Sequence, residues 1–100
     1  MKKIFKQIQK LNKLDKAGVP EALCKLAEEF GELAQVLNKT IGRKPHTLTE
    51  KQIQDNIIEE CADVIQNVFC IADKRGIPLK KIKKALKSKN KKWKKVIKKR

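Results

Sequence analysis

Apolar residues recur along this chain at intervals of three and four, the period of helices, and no segment shows the strict alternation of a strand. Ile4, Ile8, Leu11 and Leu14 predict a short amphipathic helix over residues 3–15. Gly18 and Pro20 then punctuate the chain, and Pro20 suits a helix's first turn, where its missing N–H costs little. Leu23, Leu26, Ala27, Phe30, Leu33, Ala34 and Leu37 predict a second helix that Gly42 can end, before a loop over 40–48 containing Pro45 and His46. Thr49 with Gln52 three residues on is a capping-box start for a third helix. Ile53, Ile57, Ile58, Cys61, Val64, Ile65, Val68 and Ala72 give that helix an apolar face running to about Lys74. Gly76 and Pro78 break the chain again. A fourth helix starts near Leu79, with Ile82, Leu86 and Trp93 on one side and its final lysines expected to fray. The pattern predicts an all-α bundle of four helices with short connections.

Charge changes this picture more than composition does. At 100 residues the chain is one small domain, whose modest core would gain from burial against a second copy. The formal net charge is +15, but residues 1–16 carry six lysines and one acid, and residues 74–100 carry fifteen basic residues and no acid. Between them, residues 21–63 hold nine of the eleven acids against five basic residues. A helical nucleic-acid-binding or scaffold protein could use the lysine-rich end, and that is the rival reading. It gives no reason for an acidic middle, whereas a site for metal ions and a polyphosphate does. The apolar stretch Val64 to Ala72 is too short and too polar to span a bilayer, no secretory signal opens the chain, and no membrane partner is expected. Cys24, Cys61 and Cys70 are odd in number without zinc-ligand spacing, so they read as reduced thiols in a cytoplasmic protein.

The acids of the middle segment form two matched pairs. The second helix reads EEFGE (Glu28 to Glu32) and the third EECAD (Glu59 to Asp63). Glu29 and Glu32, and likewise Glu60 and Asp63, are three residues apart and project about 60° from one another. Each pair is placed on the shoulder of its helix's apolar stripe. Asn56, Glu60, Asp63 and Asn67 continue one polar stripe, and Lys25 lies one turn before Glu29. If the two helices pack antiparallel, the shoulders meet and bring four carboxylates together. Such a cluster suits a hard divalent cation, which takes oxygen ligands and keeps room for water and substrate phosphates. Glu21, Glu50, Asp55 and Glu59 point away and read as surface charge.

The string KLAEEFGELAQVL (Lys25 to Leu37), followed by EECADVIQNV (Glu59 to Val68), resembles the MazG-like all-α nucleoside triphosphate pyrophosphohydrolases. KSKNKKW (Lys87 to Trp93) is similar to that family's basic final helix, and the likeness spans residues 3–93, leaving 94–100 as a basic tail. The resemblance implies Mg²⁺ held by Glu29, Glu32, Glu60 and Asp63, with Mn²⁺ as its substitute. It implies hydrolysis of an NTP or dNTP to the monophosphate and pyrophosphate, and a homodimer or homotetramer whose helices complete the bundle. Glu28 or Glu32 would then position or deprotonate the attacking water, and Lys25, Asn67, Lys87, Asn90 and Lys92 would meet the substrate. In many relatives a Lys or Arg stands one turn before the Asn of the last helix; here Leu86 takes that place before Asn90, and Lys87 is three residues before it. Phosphoribosyl-ATP pyrophosphohydrolases are related, but their glycine before the acidic pair is Ala27 here, and their histidine after the ExxD is missing.

Other chemistry finds little support. Ser88 is the only serine and is far in sequence from His46, and the four glycines form no phosphate loop. His46 reads as an exposed loop residue, Cys61 as core, and Trp93 as packed on the bundle. Gln9 and Asn12 lie on the first helix, where relatives contact the nucleotide base; an exposed polar face explains them as well.

Overall fold

The computed structural model describes residues 1–40 and 47–99, so the expected stop at Gly42 and the loop carrying Pro45 and His46 lie outside the described residues. Four helices follow in order: α1 (Lys2–Leu14), α2 (Val19–Thr40), α3 (Glu50–Lys74) and α4 (Leu79–Lys99). Their ends follow from local chemistry. Before α2, the Gly18 N–H donates to Glu21 Oε2 at 2.9 Å, so Glu21 closes the first turn that Pro20 occupies. At α3 the capping box forms: Gln52 N–H donates to Thr49 Oγ1 at 3.2 Å, and Thr49 N–H donates to Gln52 Oε1 at 2.9 Å. α3 stops where Gly76 takes φ +70°, a left-handed conformation that suits glycine. There the N–H of Gly76 reaches Asp73 O and that of Ile77 reaches Ala72 O, both at 2.9 Å, the paired bonds of a Schellman cap.

α2 and α3 pack as an antiparallel pair, and each carries two apolar seams rather than one broad stripe. The inner seam of α2 is Ala22, Leu26, Glu29, Leu33 and Val36, all buried or half-buried, at spacings of four and three. Its counterpart on α3 is Ile53, Ile57, Glu60, Val64, Asn67 and Ile71. The outer seams, Leu23, Ala27, Phe30, Ala34 and Leu37 on α2 and Ile58, Cys61, Ile65 and Val68 on α3, are exposed in one chain. The expectation that Cys61 belongs to the core is therefore corrected, because one apolar face on paper is two seams in space.

α1 lies along the C-terminal half of α3. Phe5 meets Phe69 edge to face, with ring centroids 5.4 Å apart, and Ile8 completes this small core with Cys70 and Leu79 against it. Polar contacts finish the attachment. Asn12 Nδ2 donates to Asp73 Oδ2 at 2.8 Å and to Cys70 O at 3.1 Å, while the Cys70 thiol donates to Asn12 Oδ1. Lys74 Nζ donates to Ala17 O at 2.6 Å.

α4 departs from the expected bundle. It has no buried residue, is joined to the core cluster through Leu79 at its root, and stays helical to Lys99 instead of fraying. Trp93, expected to pack on the bundle, is 63% exposed. The radius of gyration, 16.5 Å against about 13 Å for a compact chain of this length, reflects that projection.

Deleting the Phe69 ring should cost about 3–5 kcal/mol and free α1 from α3. Losing the Thr49 hydroxyl should cost only about 1 kcal/mol. Urea unfolding of Phe69→Ala and Thr49→Ala checks the order; equal losses would contradict the α1–α3 core.

Candidate metal centre

The inner seam should be uniformly apolar, since it is where α2 meets α3, yet carboxylates stand at its centre. Glu29 is 6% exposed, and Glu60 and Asp63 are half-buried. One ligand oxygen from each of the three lies within 4.8 Å of the others. The two helices bring them together because Glu29 and Glu60 hold equivalent seam positions and Asp63 follows Glu60 by one turn. Both were placed on the shoulders of the stripes from sequence; the seam register puts them inside.

Burial makes this arrangement costly for a metal-free chain. Glu60 Oε2 is buried with no hydrogen-bond partner. Burial first, then its hydrogen bond with Glu29 and the negative charge of Glu32 and Glu29, push the Glu60 carboxyl up to about 7. Glu29 suffers the same burial, but its hydrogen-bonding interactions with Glu60, Lys25 and Glu32 and the charge of Lys25 outweigh it and hold its carboxyl below the ordinary range. Of the two acids, Glu60 is thus the one whose charged form the site disfavours. Lys25 Nζ stands 3.4 Å from Glu29 Oε1, and its own pKa is raised, chiefly by that hydrogen bond. The Lys25 side chain is largely exposed, so the pair adds little stability, but it puts a mobile cation beside the acids.

The other expected site residues are placed less centrally. Glu32 is exposed at the rim, close enough to act on both Glu29 and Glu60. Glu28 is exposed on the side of Lys25, which feels its charge. Asn67 is buried, and its Nδ2 donates to the Asp63 carbonyl at 2.8 Å, so that donor is committed within α3. Lys87, Asn90 and Lys92 are exposed on α4, and one chain does not bring them to the carboxylates.

A cleft of about 420 Å³ opens one turn from the centre, with Lys25, Ala22 and Asn67 at its near side and Ile8, Leu11 and Asn12 on the α1 side. Both ends of the Asn12 amide are occupied by α3. Asn12 therefore holds the cleft wall, a role that reading it as an exposed polar residue missed. The available signal was a polar residue adjoining the apolar positions Ile8 and Leu11.

The residues fit a divalent cation: three oxygen donors from two helices, one of them buried without a partner, are the hard-ligand set that Mg²⁺-type ions take. Fold and site together define a helical protein with an acidic metal-type centre between two helices. The MazG nucleotide pyrophosphohydrolase domain model matches residues 20–98. The chain belongs to that family. No curated protein and no solved structure matches it.

The raised Glu60 carboxyl has a signed consequence. Between its ordinary 4.5 and about 7, the folded metal-free protein keeps a proton that the unfolded chain has released, so Glu60 lowers stability as pH rises through that window. Glu60→Gln removes this slope. In chelator, the variant should gain melting temperature relative to the parent as pH rises from 4.5 through about 7. A difference between the two that is constant with pH would show that Glu60 is not the group holding the proton.

Proposed function

We propose that this protein is a Mg²⁺-dependent nucleoside triphosphate pyrophosphohydrolase, which converts an NTP or dNTP and water to the monophosphate and pyrophosphate. The reaction breaks the α–β phosphoanhydride. Clearance of surplus or non-standard nucleotides from the cytoplasmic pool is the role that suits this reaction. The observation that carries the reading is the three-carboxylate centre in the inner seam, with its partnerless Glu60 oxygen. Membership of the MazG family supplies the reaction class.

Glu29, Glu60 and Asp63 would hold the cation, with Glu32 joining from the rim. The bound cation would polarise phosphoryl oxygens and offset polyphosphate charge. Lys25, mobile and beside Glu29, would swing to the phosphates as they arrive. Of the two general-base candidates, Glu32 is better supported than Glu28, because Glu32 borders both Glu29 and Glu60 while Glu28 faces Lys25. The base and sugar would enter the cleft between α1, α2 and α3, whose volume suits a nucleoside.

The outer seams support self-association. Leu23, Phe30 and Leu37 repeat every seven residues on α2, Ile58 and Ile65 do so on α3, and all five are exposed. A second copy covering them would give the bundle completed by dimerisation, or a tetramer built from two such pairs. Lys87, Asn90 and Lys92 could meet a substrate only from a second copy.

The decisive assay is an NTP and dNTP panel with Mg²⁺, monitored for pyrophosphate and monophosphate together. Turnover should stop in chelator. Glu32→Gln should lower kcat by about 10²–10⁴-fold while weakening metal binding less than Asp63→Asn does. Asp63→Asn should lose metal binding and turnover together. No turnover by the parent on any nucleotide, combined with salt-sensitive DNA binding, would favour the nucleic-acid reading instead. Turnover that survives both substitutions would remove the site assignment but not the activity.

Phe30→Asp should give a smaller species in light scattering and a less stable one in urea. An unchanged molar mass would show that the outer seam does not join two copies.

A further inference from the structure

The cleft beside the carboxylate centre has a floor and a rim of different chemistry. Ile8, Ala22 and Asn67 are buried, Cys70 is half-buried, and these four form the floor. Ile8 and Ala22 offer only carbon. The Cys70 thiol is occupied by Asn12 Oδ1, and the Asn12 amide is in turn held by α3. Asn67 Nδ2 donates to the Asp63 carbonyl at 2.8 Å, which fixes the amide's orientation, since the reverse one would set two oxygens together. Asn67 Oδ1 is then the floor's one hydrogen-bonding atom without a partner among the described residues, and it can only accept. The rim differs. Asp15, Glu21 and Lys74 are engaged with the connection between α1 and α2, and Gln66 is exposed and can turn to water.

From this, and resting on the nucleotide reading above, we infer that the cleft selects the sugar: Asn67 Oδ1 accepts a hydrogen bond from the 3′-hydroxyl, and a 2′-deoxynucleotide is preferred to its ribonucleotide. Position favours the sugar over the base. Asn67 follows Asp63 by four residues, about 6 Å along α3. Counted seven residues from Glu29 and from Glu60 along the antiparallel pair, Ala22 and Asn67 face one another, and Ala22 precedes Lys25 by less than a turn. With the phosphates at the cation and Lys25, the part of the substrate one turn away is the part that adjoins the α-phosphate. That part is the sugar, whose only donors are hydroxyls. The 3′-hydroxyl is the nearer of a ribose's two to the phosphate-bearing C5′. Deoxyribose has that hydroxyl alone, and the fixed acceptor satisfies it. Ribose brings a second hydroxyl onto Ile8 and Ala22, which offer it no partner.

Binding and turnover are measured separately on the full chain. Titration calorimetry with Mg²⁺ uses the non-hydrolysable α,β-imido triphosphates of ribo-, 2′-deoxy- and 2′,3′-dideoxynucleosides, for each of adenine, guanine, cytosine and uracil. In the base series that binds tightest, the deoxy form should bind at least about tenfold tighter than either the ribo or the dideoxy form. Asn67→Leu keeps the size of the side chain and removes the acceptor. It should keep the parent's circular dichroism and bind deoxy and dideoxy forms within about twofold of each other. A merely structural role for Asn67 would weaken all three forms alike, and that outcome overturns the inference. So does equal binding of the three forms by the parent, or preference for the ribo form, while ordinary nucleotides are still turned over. Neither binding nor turnover in any series would remove the nucleotide reading itself, and this one with it. If the variant does not fold, the parent's three-way comparison decides alone.

Discussion

Two carboxylates sit where two helices would otherwise bury leucines, and the rest of the molecule is arranged around that conflict. Glu29 and Glu60 occupy inner-seam positions of α2 and α3 that contact geometry reserves for apolar side chains. In the metal-free chain their repulsion raises the Glu60 carboxyl and is offset at Glu29 by the exposed Lys25, a weaker counter-charge than a divalent cation. Natural proteins accept such local conflict where function requires it and recover stability elsewhere. Here the recovery within one chain is small: the α1 core is Phe5, Ile8 and Phe69, and no large side chain is completely buried among the described residues. That deficit gives the outer seams their importance. Covering Phe30, Ile58 and Ile65 would add apolar burial to the same two helices that hold the acids apart from water, and would stiffen the site by packing its far side.

The elements were legible in the sequence because each helix end has a specific local signal. Thr49 and Gln52 form the capping box their spacing announces, and Gly76 takes the left-handed conformation that a stop before Pro78 requires. The acidic pairs were legible as a cluster for a similar reason: i, i+3 spacing on two adjacent helices survives any reasonable packing. Which side of each helix faces inward was harder to read. Apolar residues on α2 run at positions 22, 26, 33 and 36 and again at 23, 27, 30, 34 and 37, and the two sets overlap in projection. Merging them produced one wide stripe with Glu29 on its shoulder. Only the four-three-four-three register, with Glu29 filling the gap between Leu26 and Leu33, separates inner seam from outer. Cys61 was misplaced by the same merging.

Long-range polar contacts left less trace. Asn12 is joined to Cys70 and Asp73 across 58 and 61 positions of sequence, and nothing local marks those partners. The packing of α4 is equally non-local. Its period predicts an amphipathic helix, but periodicity does not say whether the apolar side meets this chain, another copy or a different surface. The structure narrows the choice by leaving the helix uncovered from Ala85 onward.

Charge segregation ties these parts together. A chain of net charge +15 that keeps nine acids in its middle segment separates two opposed electrostatic tasks. The buried acids need a low dielectric and few competing cations, or lysines would occupy them permanently and exclude a metal. Among the described residues only Lys25 pairs with them, through a single 3.4 Å contact that its exposed side chain can break. None of the twelve lysines of α4 is among the groups that pair with or act on Glu29 and Glu60. Had α4 folded back along α2 and α3 as a fourth bundle member, its lysines would have been drawn toward Glu32, Glu60 and Asp63. The projection of α4 thus leaves the acidic centre clear of that helix's lysines within one chain.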